Sequence, residues 1–153
     1  MSSLSPPSEL AAHLGFWLRM VSNHVSHAFA ARLADRDVTV AEWSLMRTLF
    51  DKPPTSPSRL AEQMGLSRGA ITKLADRLVA KSLMTRAADP HDGRAQTLAL
   101  TAHGVALVPE LATLADQNDA EFFACLPADE RETLLRLLKK MTERGRMTEI
   151  PMA

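Results

Sequence analysis

Two sets of side chains in this sequence are typed and spaced for chemistry. One is a row of cations and hydroxyls in the middle third: Ser67, Arg68, Thr72, Lys73 and Arg77, with the small residues Gly69 and Ala70 among them. Ser67 and the first-turn amides behind it suit a phosphate at a helix N-terminus. Arg68, Thr72 and Lys73 suit base edges or phosphates, and Gly69 and Ala70 permit close approach. Arg77, a turn further on, either reaches phosphate or pairs with a carboxylate such as Asp89. The other set is His13, Trp17, Met20, His24 and His27, stepped by four, three, four and three positions, so that one helix face carries all five.

Covalent and metal chemistry have little to work with. The sequence has no Gly-rich phosphate loop, no nucleophile elbow, and no Ser-His-Asp or paired-carboxylate context. His103 and Glu110 share a helix without an evident cleft. His24 and His27, one turn apart, are spaced to share a metal, yet no Cys or carboxylate joins them at ligand spacing. Cys125 lies beside Phe122, Phe123 and Leu126, where a small buried hydrophobe is expected; the competing reading is a redox switch. No enzyme activity, cofactor or resident metal is expected.

The elements that must position these residues are mostly helical. From Ser8, a plausible N-cap, to about Ala34, the residues Leu14, Leu18, Val21, Val25 and Phe29 recur at helical spacing, with Asp35 to Asp37 as the exit. At about 1.5 Å per residue this helix would be near 40 Å long. That exceeds what one small domain needs, so part of it is expected on another subunit. A second helix spans about Val40 to Phe50, and Pro53-Pro54 then force a break. Ser56 reads as an N-cap with Pro57 at the first helical position and Gly65 as the left-handed end. Ser67 caps the next helix, about Arg68 to Lys81, and the pair matches a helix-turn-helix. In that second helix Ile71, Leu74, Ala75, Leu78 and Val79 share one face, and Gly69, Thr72, Lys73, Asp76, Arg77 and Ala80 the other.

Residues 83–101 change period. Leu83 to Arg86 and Gln96 to Leu100 read as short strands around the dense turn chemistry of Asp89-Pro90-His91-Asp92-Gly93. Thr101 caps a helix to about Phe123, in which Pro109 should mark a kink or a register change. Pro127 opens a last helix whose Leu134, Leu135, Leu137, Leu138 and Met141 form an apolar face too wide for one partner helix. The expected fold is mainly α with a small β wing. It is a single domain over 1–153, with a winged helix-turn-helix at 38–101 and long helices at 8–34 and 105–146 left for dimerisation.

Bulk properties agree. With 153 residues, 46% hydrophobic and 24% charged, the chain has an ordinary globular make-up. No apolar run nears the roughly 20 residues that span a bilayer. The first residues lack the pattern of a signal peptide, and one cysteine fits a reducing compartment, so a cytoplasmic protein is expected. The net charge is zero, yet residues 52–94 hold eight basic and four acidic residues. The excess of +4 there is balanced by −1 before it and −3 after it. A phosphate-facing module between neutral and acidic scaffolding has this profile.

The run Leu66-Ser67-Arg68-Gly69-Ala70-Ile71-Thr72-Lys73-Leu74-Ala75-Asp76-Arg77-Leu78, with Asp89-Pro90-His91-Asp92-Gly93-Arg94 and Leu98-Ala99-Leu100-Thr101-Ala102-His103-Gly104, resembles the MarR family of transcriptional regulators. The resemblance implies a homodimer that binds double-stranded DNA. Arg94 at the wing tip resembles the family's minor-groove arginine, drawn by the negative potential of a narrow groove, with Asp92 either orienting its guanidinium or stabilising the turn. The expected DNA-contacting set is Ser56, Ser67, Arg68, Gly69, Ala70, Thr72, Lys73, Arg77, Asp92 and Arg94. Ser82 departs from the family, which commonly has glycine there, and leaves open a different helix end. The resemblance also implies release of DNA by a small phenolic or anionic effector. His13, Trp17, Met20 and His24, with Trp43, Met46, Arg47 and Phe50, would line that pocket; otherwise they are dimer-interface packing. Two further readings are a regulator switched by oxidation of Cys125 and a winged helix used only for protein contacts.

Overall fold

Short-range capping decides where most elements begin. The computed structural model describes residues 3–145, so the last position of the expected 105–146 segment, Arg146, lies outside the described residues. The helices are α1 (Leu14–Leu33), α2 (Val40–Leu49), α3 (Pro57–Met64), α4 (Arg68–Ala80), α5 (Ala102–Phe122) and α6 (Ala128–Gly145), with strands β1 (Met84–Ala88) and β2 (Gln96–Leu100) between α4 and α5. Thr39 and Glu42 form a reciprocal capping box on α2. Ser56, Ser67 and Thr101 each accept the amide three residues on, at 3.0–3.2 Å. Gly65 ends α3 at φ 65°, as its position between two helices requires.

Ser82 ends α4 as glycine would. It takes φ 60°, while Leu83 N–H bonds to Leu78 O at 2.9 Å and Ser82 N–H to Val79 O at 3.0 Å. This is a Schellman closure built on a non-glycine residue, at about 1 kcal/mol of strain. Thr101 Oγ1 donates to Ser82 O at 2.7 Å and holds it there.

β1 and β2 pair antiparallel with Met84 opposite Leu100 and Ala88 opposite Gln96. Thr55 adds a bridge to Leu98 on the far side of β2, a third partner that the broken segment before α3 did not advertise. One core runs beneath the winged helix, from Leu45 and Leu49 through Leu60, Ile71, Leu74 and Leu78 to Leu83 and Leu98. Leu33 of α1 and Val108 and Leu111 of α5 close it. α1 and α5 lie against each other, and the buried Asn118 donates Nδ2 to Val25 O at 3.2 Å.

Two expectations about the long helices change. Ser8 is not a cap: a 3-10 turn at Leu10–Ala12 precedes an extended His13, and α1 starts at Leu14. Leu4, Leu10 and Leu14 are exposed, so nothing within the chain packs the first turn into the helix. With 20 residues α1 is about 30 Å long rather than 40 Å. α5 runs continuously through Pro109, which removes one rung of its hydrogen-bond ladder without ending it. Among the described residues no helix is long and apolar enough to cross a membrane.

Candidate nucleic-acid interface

α4 is held by its apolar face and presents the other. Ile71, Leu74, Ala75 and Leu78 are buried, whereas Arg68, Gly69, Thr72, Lys73, Asp76 and Arg77 are exposed and Ala70 is half-buried. Ser67 caps the helix by accepting Ala70 N–H at 3.1 Å, leaving the first amides outward. Thr72 Oγ1 donates back to Arg68 O at 2.9 Å, which leaves its oxygen lone pairs as acceptors. A Cβ built on Gly69 would meet only Ser67 Oγ, at 4.0 Å, so the fold itself does not require a glycine there. The open space lies on the outward face.

The cations of this face carry no internal partner. Scaffold cations pair with carboxylates: Arg32 with Glu121, Arg36 with Glu110, Lys81 with Glu42. Among the described residues Arg68, Lys73, Arg77 and Arg94 form no ion pair. The expected alternative of Arg77 with Asp89 is therefore absent. Asp89 instead accepts His91 N–H at 2.8 Å, and the link between wing and helix runs from Arg86 on β1 to Asp76 on α4.

At the wing tip Asp92 takes one of the two roles open to it. Asp92 Oδ1 accepts the backbone N–H of Arg94 at 3.1 Å, closing an Asx turn. Its carboxylate thus shapes the turn and does not orient the Arg94 guanidinium. Arg94 is exposed at the end of the hairpin. Ser56 sits at the start of α3 beside Lys52 and Arg59, which line with it a recess of about 330 Å³. Those two cations were missed, because a loop lysine and a short-helix arginine have no periodic signal.

The expected effector residues do not gather within one protomer. His13, Trp17, Met20 and His24 are exposed along α1, and Trp17 Nε1 donates to Ala11 O at 2.8 Å. Trp43 packs edge-on to Phe29 with centroids 6.3 Å apart, and Arg47 lies 5.5 Å over the Phe50 ring. Met46 is fully buried in the core and lines no open surface. It falls on the face of α2 shared with Leu45 and Leu49, while Trp43, Arg47 and Phe50 flank that face. A groove of about 840 Å³ lies further along α1, between Asn23, His27, Ala30, Val38, Val40 and Lys81. His27 is the one member of the α1 stripe that borders it. Among the described residues no group of three metal-ligating side chains gathers. Cys125 is exposed, contrary to the expected buried hydrophobe.

A winged helix-turn-helix with unpaired cations on its outward helix and wing is the architecture of known DNA-binding proteins. The MarR family model matches residues 38–95. The multiple antibiotic resistance protein MarR of Escherichia coli K12 is 30% identical over 129 residues, covering 84% of this chain and 90% of that protein. A mutant of E. coli MarR complexed with operator DNA superposes with a TM-score of 0.80 at 29% identity, covering 88% of this chain and 99% of that one. The structure of Bordetella bronchiseptica BpsR, solved to explain regulation of its DNA binding by 6-hydroxynicotinic acid, gives a TM-score of 0.83 at 26% identity, covering 90% and 98%. The fold, the wing motif and these relatives together make the chain a DNA-binding transcriptional regulator that belongs to the MarR family.

Proposed function

We propose that this protein is a cytoplasmic, homodimeric repressor that sits on a pseudo-palindromic operator and leaves it when a small aromatic or anionic molecule binds. The observation that carries the reading is the outward face of α4, where Arg68, Lys73 and Arg77 stand unpaired over a narrow Gly69-Ala70 entry. Ser67, Arg68, Thr72 and Lys73 enter the major groove; Ser56 and Arg77 take phosphates; Arg94, set by the Asp92 turn, enters the minor groove.

Dimerisation is supported by apolar surface that one chain leaves uncovered. Leu14 is 83% exposed and Trp17 48% on α1, and Leu135 is 54% and Met141 48% on α6. A second copy covering these faces would form an interface from 8–34 and the segment that begins at 105. Two recognition helices would then meet successive major grooves about 34 Å apart, at half-site centres about 10 base pairs apart. The effector reading takes support from the regulation of BpsR by 6-hydroxynicotinic acid. His13, Trp17, Met20, His24, Trp43, Arg47 and Phe50 form its lining only once a partner subunit closes over α1.

Selection of duplexes from a random-sequence library, followed by footprinting, tests the reading. A protected pseudo-palindrome with that spacing is expected, and binding that is indifferent to sequence would refute it. A winged helix kept for protein contacts alone would select no sequence at all.

A further inference from the structure

The most deeply buried charge among the described residues takes no part in the interface described above. Glu42 lies in the first turn of α2 with its side chain 1% exposed. Its Oε1 accepts Thr39 N–H at 3.2 Å, and its two oxygens accept from Lys81 Nζ at 3.0 and 2.9 Å. The same ammonium donates to Asp37 O at 2.6 Å and lies 3.9 Å from the exposed Asp37 carboxylate. All three ammonium hydrogens are thus committed to the connection between α1 and α2. Lys81 is also the C-cap of α4, its own N–H bonded to Arg77 O at 3.2 Å. The end of the outward helix is therefore fastened to residues 39 and 44 positions earlier in the chain.

A buried ion pair is a weak source of stability. Desolvating a carboxylate costs several kcal/mol before its partner and hydrogen bonds repay it, and an apolar pair of similar volume commonly does as well or better. What directional bonds add is geometry. Both strands of backbone at the junction are in left-handed conformations without glycine, Asp37 at φ 54° and Ser82 at φ 60°. Such conformations persist where the surroundings over-determine them.

We propose that Lys81 and Glu42 are positioning residues that set where α4 stands relative to the α1–α2 connection, and hence how far apart the two outward helices of a dimer lie. Half-site spacing is then their readout. The proposal rests on the dimeric operator reading given above.

The probe is a duplex selected by the wild-type protein, remade with one base pair inserted or removed between its half-sites. Glu42→Gln keeps the shape and the bond from Thr39 N–H but removes the charge. Glu42→Leu combined with Lys81→Met replaces the pair by apolar packing, and either variant suffices if the other fails to fold. The expected result is a folded protein that binds the selected duplex about tenfold more weakly and discriminates less among the three spacings. Wild-type affinity with wild-type spacing preference in a folded variant overturns the proposal. So does a uniform loss across spacings that follows lost thermal stability, since that marks a merely structural pair. A wild-type protein without any spacing preference takes down the dimeric operator reading and this proposal with it.

Discussion

Gly104→Ala should destabilise this protein although alanine is the better helix former. Gly104 is in the first turn of α5 and is buried. A Cβ placed there would stand 2.2 Å from Leu83 O and 3.2 Å from Leu83 C. That carbonyl is backbone, and it already accepts Thr101 N–H at 3.1 Å, so it cannot move aside without opening the junction between α4, β1 and α5. Relieving the overlap displaces α5 by about 1 Å, which places the cost near the upper end of overpacking, about 3 kcal/mol. Helix propensity returns about 1 kcal/mol, leaving a net loss of about 2 kcal/mol. For a chain of this length that lowers Tm by about 4–8 °C. Thermal unfolding at one fixed protein concentration measures it, because dimerisation makes Tm depend on concentration. A variant as stable as wild type or more so would refute the reasoning and mean that Leu83 and α5 separate freely.

Ser82→Gly removes the left-handed strain and should raise stability by about 1 kcal/mol; an unchanged or lower Tm would mean that the extra freedom of glycine in the unfolded chain offsets it. Sedimentation at micromolar concentration should find a dimer, and a well-folded monomer would leave the exposed faces of α1 and α6 unexplained. Trp17→Ala and His24→Ala should blunt release of operator by an aromatic acid found in a thermal-shift screen more than they weaken DNA binding. If both respond to that acid like wild type, the effector site is elsewhere, with the groove beside His27 as the place to look.

The parts of the fold that were legible in the sequence are those decided within a few residues. Ser56-Pro57 and Gly65 bound α3 because caps act on the nearest amides and carbonyls. The outward and inward faces of α4 follow from period alone, and Ile71, Leu74, Ala75 and Leu78 are buried where that period puts them. What stayed hidden depends on distant partners. The Glu42–Lys81 pair joins residues 39 apart, and a lone Glu in a first turn reads as ordinary capping. Met46 belongs to the core because it shares the α2 face of Leu45 and Leu49, and a helix alone does not tell which of its faces meets the core. Cys125 lies close to Phe122 and Phe123 and is still exposed, because apolar neighbours in sequence do not by themselves bury a side chain. Of the two roles open to Asp92, the structure shows the local one, a turn closed on the Arg94 amide.

On the reading proposed above, the outward face of α4 and the wing tip meet DNA by separate routes. One titration tests it most directly: wild type, Lys73→Ala and Arg94→Ala against one selected operator, with its flanks A·T-rich or G·C-rich, at two salt concentrations. Both side chains are exposed and unpaired, so stability should stay within about 0.5 kcal/mol of wild type. Arg94→Ala should cost about 1–3 kcal/mol per half-site, most with A·T-rich flanks, and flatten the salt dependence by about one unit per half-site. Lys73→Ala should lose affinity with little regard to the flanks. Unchanged affinity and salt slope in Arg94→Ala would remove the wing from the mechanism, and the same result in both variants would contradict that reading.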